Sequence, residues 1–192
     1  MRIINGKIYF KVLFFGTALA GKTTSLRWLF NHVIPTDMKV TPKIKSIETS
    51  FGQTLLFDFT PIQLSPNIHV RIFTATGQDY YLSTRKMLFE DVDGIFFVID
   101  SQKKELEHNR EFVEEFNRYL ENLPRLNNAV VIILFNKNDM DDIHSAQDLA
   151  RMLNLEKYPS FSVSSLLGTN LREAFITMIR RMLERMEQEA RP

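Results

Sequence analysis

One run of residues in this chain has the composition and order that hold a phosphate group. Gly16-Thr17-Ala18-Leu19-Ala20-Gly21-Lys22-Thr23 fits the pattern Gly-x-x-x-x-Gly-Lys-Ser/Thr. The glycines permit backbone conformations, and a close approach, that a side chain blocks. The loop N–H groups can wrap an anion. A helix opening at Lys22, with Thr23 and Thr24 in its first turn, adds the partial positive charge of its N-terminus. In this arrangement Lys22 reaches the β- and γ-phosphate oxygens and Thr23 places its hydroxyl on Mg²⁺. A bare match also arises by chance in any strand–turn–helix. Here the apolar run Val12-Leu13-Phe14-Phe15 leads into the loop and a helix-forming segment leaves it.

A second run points to a base. Asn136-Lys137-Asn138-Asp139 follows the apolar stretch Ala129 to Phe135. The Asp139 carboxylate can accept hydrogen bonds from the N1–H and 2-amino group of guanine. Adenine presents neither donor there, and a buried carboxylate would be left unpaired. The aliphatic stem of Lys137 can cover one face of the base. Alone, such a run is an ordinary polar turn after a strand. Its place two α/β units downstream of the phosphate loop gives it weight.

The elements that must position these residues follow from periodicity. Strands are expected at Ile8–Phe15, Thr54–Thr60, His69–Thr74, Gly94–Asp100, Ala129–Phe135 and Ser160–Val163. Helices are expected at Lys22–His32, Ser83–Phe89, Lys103–Asn122, Ala146–Met152 and Leu171 to about Glu187. The turn Leu64-Ser65-Pro66-Asn67 makes the second and third strands an antiparallel hairpin. The alternation predicts an α/β fold: a mostly parallel six-stranded sheet with one antiparallel edge strand and helices on both faces. The last helix carries Leu171, Ala174, Phe175, Met178, Ile179, Met182, Leu183 and Met186 on one stripe, read as core packing. Val33 to Gly52 fits neither period and reads as a long functional loop.

Composition closes off other chemistries. The 192 residues read as one domain, 1–192, and 24 basic residues against 23 acidic ones give a net charge of +1. That balance removes the electrostatic argument for nucleic acid. No cysteine is present, so disulfides, thiolate zinc sites, thiol nucleophiles and prenyl or palmitoyl anchors are excluded. The four histidines show no metal spacing. No apolar run spans a membrane. The expected setting is the cytoplasm, with no direct membrane anchor.

Taken together, the order of these residues resembles the Ras-like small GTPases, and within them the MglA family of prokaryotes, over nearly the whole chain. Thr54-Leu55-Leu56-Phe57-Asp58-Phe59 is similar to the family's Thr-Leu-Phe-Phe-Asp-Phe. Thr74-Ala75-Thr76-Gly77-Gln78 is similar to its Thr-Val-Pro-Gly-Gln. Ser83-Thr84-Arg85-Lys86 followed by Asp91-Val92-Asp93-Gly94 resembles a further family stretch. The resemblance implies a P-loop, Ras-like G domain that binds GTP or GDP with Mg²⁺. It gives Gln78 the water-orienting role, Gly77 the γ-phosphate contact and Thr54 a metal contact beside Thr23. Ser164-Ser165-Leu166 falls where a third base-contacting loop is found, with Ser165 and Leu166 in place of Ala and Lys.

Two departures matter. Thr74 stands where most small GTPases carry the aspartate that holds Mg²⁺ through water, and Asp58 and Asp100 are the candidates to compensate. Gln53 stands where the family has an arginine before the loop threonine, so unaided hydrolysis is expected to be slow. A dimeric Roadblock-type activator, as MglB is for MglA, is the expected partner, and the chain alone is expected to be a monomer. Tyr80 or Tyr81 could serve a partner surface. A nucleotide-locked scaffold that does not cycle is the competing reading. A P-loop kinase or ATPase is disfavoured by Asn136 to Asp139.

Overall fold

Apolar runs and helix-period segments alternate in space as they do along the chain. The computed structural model describes residues 1–46, 58–75 and 87–189. A short hairpin opens it. β1 (Arg2–Ile4) pairs antiparallel with β2 (Lys7–Gly16) across Asn5 and Gly6, both at positive φ. α1 (Lys22–His32) follows the phosphate loop. A 3-10 turn (Thr36–Met38) and the two-residue β3 (Lys45–Ser46) occupy the segment expected to be a loop. β4 (Asp58–Ser65) and β5 (Ile68–Thr74) form the expected antiparallel hairpin, tightened to the turn residues Pro66 and Asn67.

The second half is built from β6 (Gly94–Asp100), α2 (Leu106–Asn122), β7 (Val130–Asn136), α3 (Ala146–Met152), β8 (Ser160–Ser162) and α4 (Leu171–Glu189). Residues 103–105 are a 3-10 turn leading into α2, and residues 87–89 are helical. Expected positions 47–57 and 76–86 lie outside the described residues. They include Gln53, Thr54, Gly77, Gln78, Tyr80, Tyr81 and the start of the Ser83–Phe89 helix.

The sheet runs β3-β4-β5-β2-β6-β7-β8, with β1 attached to β2. β5, β2, β6, β7 and β8 are parallel to one another, and the antiparallel pairs lie at one edge and at the entry hairpin. The sheet thus gains β1 and β3 over the six strands expected. Asn5-Gly6 is a strong short hairpin signal, and a first strand expected to begin at Ile8 passes over it. β3 is too short to show a period.

Side chains alternate between two cores. Val12, Phe14, Phe96, Val98, Ile132 and Leu134 meet α1 and α4 on one face. Leu13, Phe15, Ile95, Phe97, Ile133 and Phe135 meet α2 and α3 on the other. β6 is buried at every position because both of its faces are covered. Met178 and Met182 are buried in the first core, as core packing requires. No described helix is long and apolar enough to cross a membrane.

Candidate nucleotide-binding site

β2 is the point at which the strand order reverses. β5 lies on one side and β6 on the other, so the loop leaving the C-terminal end of β2 opens at the switch point of the sheet. This loop is Gly16 to Thr23. Gly16 has φ +142°, and a Cβ there would sit 2.1 Å from the Val98 carbonyl oxygen of β6. Gly21 has φ +101°, and its Cβ would fall 2.2 Å from Asn136 Nδ2. Only glycine lets the loop lie this close to the sheet and to the base-side loop. Leu19 is at φ +60° with its side chain 89% exposed.

Gly21 caps α1 without any side-chain hydrogen bond, and the first turn carries no acidic residue. The N–H groups there are left to an anion, with the helix end positive. Lys22 is buried, and its Nζ donates to the carbonyl oxygens of Gly16 at 2.8 Å and Thr17 at 2.5 Å. The ammonium therefore lies folded along the loop. Thr17 Oγ1 is buried in the same loop without a hydrogen-bond partner. Thr23 is half-buried in the first turn and Thr24 is exposed.

Asn136 ties the three sequence-expected loops together. Its Nδ2 donates to the Ala20 carbonyl at 2.6 Å, and its Oδ1 accepts the Ser165 N–H at 2.8 Å. Ser165 Oγ lies 2.5 Å from Ser25 Oγ on α1. Ser164 and Ser165 are buried, and Ser164 Oγ accepts the Leu167 N–H at 3.1 Å. Leu166 points to solvent. Asn138 N–H binds the Val163 carbonyl at 3.1 Å, which fixes the loop above β8. Asp139 is exposed beside it. Lys137 has φ +69° and ion-pairs with Asp100.

Several supports of this site carry no signal in the sequence. Ser25 carries no motif, yet it locks α1 to Ser165. Gly168, at φ +80°, packs against Trp28, where a Cβ would fall 1.9 Å from the indole. Asp100 caps the turn after β6, since its Oδ1 accepts the Gln102 N–H. Its other oxygen is taken by Lys137. The Asp58 side chain lies outside those described.

Do these residues fit a nucleotide with Mg²⁺? The glycine cradle, the bare helix N-terminus and Lys22 suit a polyphosphate. Among the described residues no three His, Cys, Asp or Glu side chains gather. An all-protein metal cage is thus not formed by them. Mg²⁺ does not need one: it is commonly held by one or two protein oxygens, phosphates and water, a role open to Thr23. A groove of about 820 Å³, lined by Val130, Tyr158, Arg181 and Arg185, lies where β7 begins, at the opposite end of the strands from this site.

Residues 2–182 match the model of the ADP-ribosylation factor (Arf) family. The chain is 28% identical over 183 residues to the mutual gliding-motility protein MglA of Myxococcus xanthus, covering 93% of this chain and 92% of that one. It is 28% identical over 172 residues to the ADP-ribosylation factor-like protein alp41 of Schizosaccharomyces pombe, covering 85% and 81%. Among solved structures, the Arl6 BBS3 small GTPase of Trypanosoma brucei, with bound nucleotide analogue GppNp, superposes with TM-score 0.69 at 18% identity. That match covers 93% of this chain and 99% of the other, and shows a shared fold.

Proposed function

The chain belongs to the ADP-ribosylation factor family of Ras-like GTPases, and on that premise we propose a guanine-nucleotide switch that hydrolyses GTP slowly and is accelerated by a partner. Small GTPases of this family bind guanine nucleotide, typically with Mg²⁺, and are in general GTP hydrolases. The single observation that carries the reading is the Asn136 side chain. It joins the phosphate loop at Ala20 to the base-side loop at Ser165, so one amide aligns the two halves of a nucleotide site.

Each residue then has a task. Gly16 to Thr23 and Thr24 bind the phosphates, and Lys22 leaves the Gly16 and Thr17 carbonyls to meet the β- and γ-oxygens. Thr23 and Thr54 hold Mg²⁺, which neutralises phosphate charge when bound. Asp139 reads the guanine edge, Lys137 covers the ring, and Ser164 to Leu166 close the far side. Gly77 contacts the γ-phosphate and Gln78 orients the attacking water. Gln53, being neutral, supplies no transition-state charge, and a missing arginine costs on the order of 10³ or more in rate. Similarity to MglA favours a Roadblock-type dimer as the activator.

One observation favours a second reading, a scaffold that holds nucleotide without cycling. Thr74 ends β5, buried and neutral, at the place of the usual metal-side aspartate. A single-turnover assay with labelled GTP and Mg²⁺ separates the two. The switch reading expects slow γ-phosphate release that Lys22→Ala and Gln78→Leu abolish and Gln53→Arg speeds at least tenfold. Tight GTP binding with no release, even with a Roadblock-type protein added, would establish the scaffold instead.

A further inference from the structure

The last residue of β6 carries a carboxylate in a place that should not favour one. Asp100 is only 2% exposed, and an ionised carboxylate so deeply buried needs opposite charge and full hydrogen bonding. The turn after β6 explains one oxygen, since Oδ1 accepts the Gln102 N–H at 3.1 Å. An asparagine would serve that N–H equally well, because it offers the same kind of oxygen. The second oxygen and the negative charge have a different partner. Oδ2 lies 2.5 Å from Lys137 Nζ, and Gln102 Oε1 accepts from the same ammonium at 3.0 Å.

Asp100 is itself held from behind. Asn109, fully buried on α2, donates Nδ2 to the Asp100 carbonyl at 2.8 Å and accepts its N–H at 3.2 Å. The loops on either side are clasped as well. Ser101 N–H binds the Asn136 carbonyl at 3.0 Å, and His144 N–H binds the Ser101 carbonyl at 2.9 Å. Lys137 sits at φ +69°, a left-handed conformation that a lysine adopts only when its surroundings hold it there. With Cα fixed by this backbone and Nζ fixed by two acceptors, the aliphatic stem between them has little freedom left.

We propose that Asp100, anchored by Asn109 and assisted by Gln102, is the positioning residue for Lys137: it pre-sets the lysine stem as a wall of the base site and so sets how long a guanine nucleotide stays bound. This rests on the reading that Asn136 to Asp139 hold guanine. A long side chain ordered before the ligand arrives does not lose its rotamer freedom on binding. The buried charge thus acts on nucleotide retention and leaves the phosphate loop untouched.

The test measures release of fluorescent GDP from the full chain with Mg²⁺, beside the affinity for inorganic triphosphate, which meets only the phosphate loop. Asp100→Asn keeps the turn's hydrogen bond and removes the charge. It is expected to speed GDP release about tenfold, the loss of one charge-assisted bond, with triphosphate affinity unchanged. On a Lys137→Ala background the same change is expected to add nothing. Gln102→Ala, in the turn, gives a smaller acceleration and carries the test should Asp100→Asn not fold. Wild-type release from Asp100→Asn, equal loss of GDP and triphosphate binding, or additivity with Lys137→Ala would overturn the positioning role alone. A wild-type chain that binds triphosphate but not GDP would instead overturn the guanine reading beneath it.

Discussion

Gly16 and Gly6 are both at positive φ, but for different reasons, and the difference can be measured. At Gly16 an added methyl meets the Val98 carbonyl of the adjoining strand, a backbone atom that cannot swing away. At Gly6 nothing lies within 4 Å, and only the left-handed backbone of the entry turn objects. Gly6→Ala is therefore expected to destabilise by about 1 kcal/mol. Gly16→Ala should lose about 3 kcal/mol or more, and with it GDP binding. Urea denaturation of both variants checks this, and equal losses would contradict the close-approach argument. At this scale the phosphate loop and Asn136 to Asp139 were legible because their residues are contiguous. The Asp100–Lys137 pair was not. It joins residues at the ends of neighbouring strands, in register only once Asp100 faces Asn136 across β6 and β7.

Elements show where periodicity suffices and where it does not. The bounds of α1, β6 and α3 match the sequence expectation residue for residue, since each has a clear period and a clear stop. The stripe of α4 packs so closely on β6 that a Cβ at Gly94 would lie 2.6 Å from Met178 Sδ and 3.0 Å from Met182 Sδ. Met182→Ala is accordingly expected to cost about 2–5 kcal/mol, read as a lowered urea midpoint with nucleotide specificity retained. The face of β2 and β5 that carries Leu13 and Phe73 holds a different group near the start of the strands. His69 stacks on Tyr9 at 4.9 Å, and Arg71 lies over the same ring. Burial first, then Lys7 and Arg71, hold the His69 imidazole below its usual value. The unfolded chain takes up this proton near pH 6.5 while the folded one resists it. Stability therefore falls as pH drops below about 6.5, until the folded imidazole also protonates. Melting temperatures between pH 7.5 and 5.5 should show this loss, reduced in His69→Phe.

The whole molecule divides its labour along the strands. The C-terminal ends carry every described residue of the proposed nucleotide site. The opposite ends carry the entry hairpin and its charges: the N-terminal amine pairs with Asp93, and Asp91 takes both Arg2 and Arg125. That division was legible in outline, because alternating strands and helices dictate a doubly covered sheet and place loops at the switch point. The strand order itself was not legible. It depends on β2 lying between β5 and β6, a pairing that hydrophobic period does not encode. The two cores explain why the arrangement is rigid enough to hold three loops in register. Phe15, Phe97 and Phe116 cluster on one face, and Phe14 packs on Phe96 on the other.

If this register makes a guanine site, equilibrium competition binding will show it. Wild-type chain with Mg²⁺ would be titrated with GDP, ADP and XDP, and Asp139→Asn with the same three. Strong preference for GDP over both competitors is expected in the wild type. In Asp139→Asn that preference should pass to XDP, because the amide donates to the 2-oxygen where the carboxylate accepted from the 2-amino group. ADP bound as tightly as GDP, or a specificity that Asp139→Asn leaves unchanged, would rule out a guanine site.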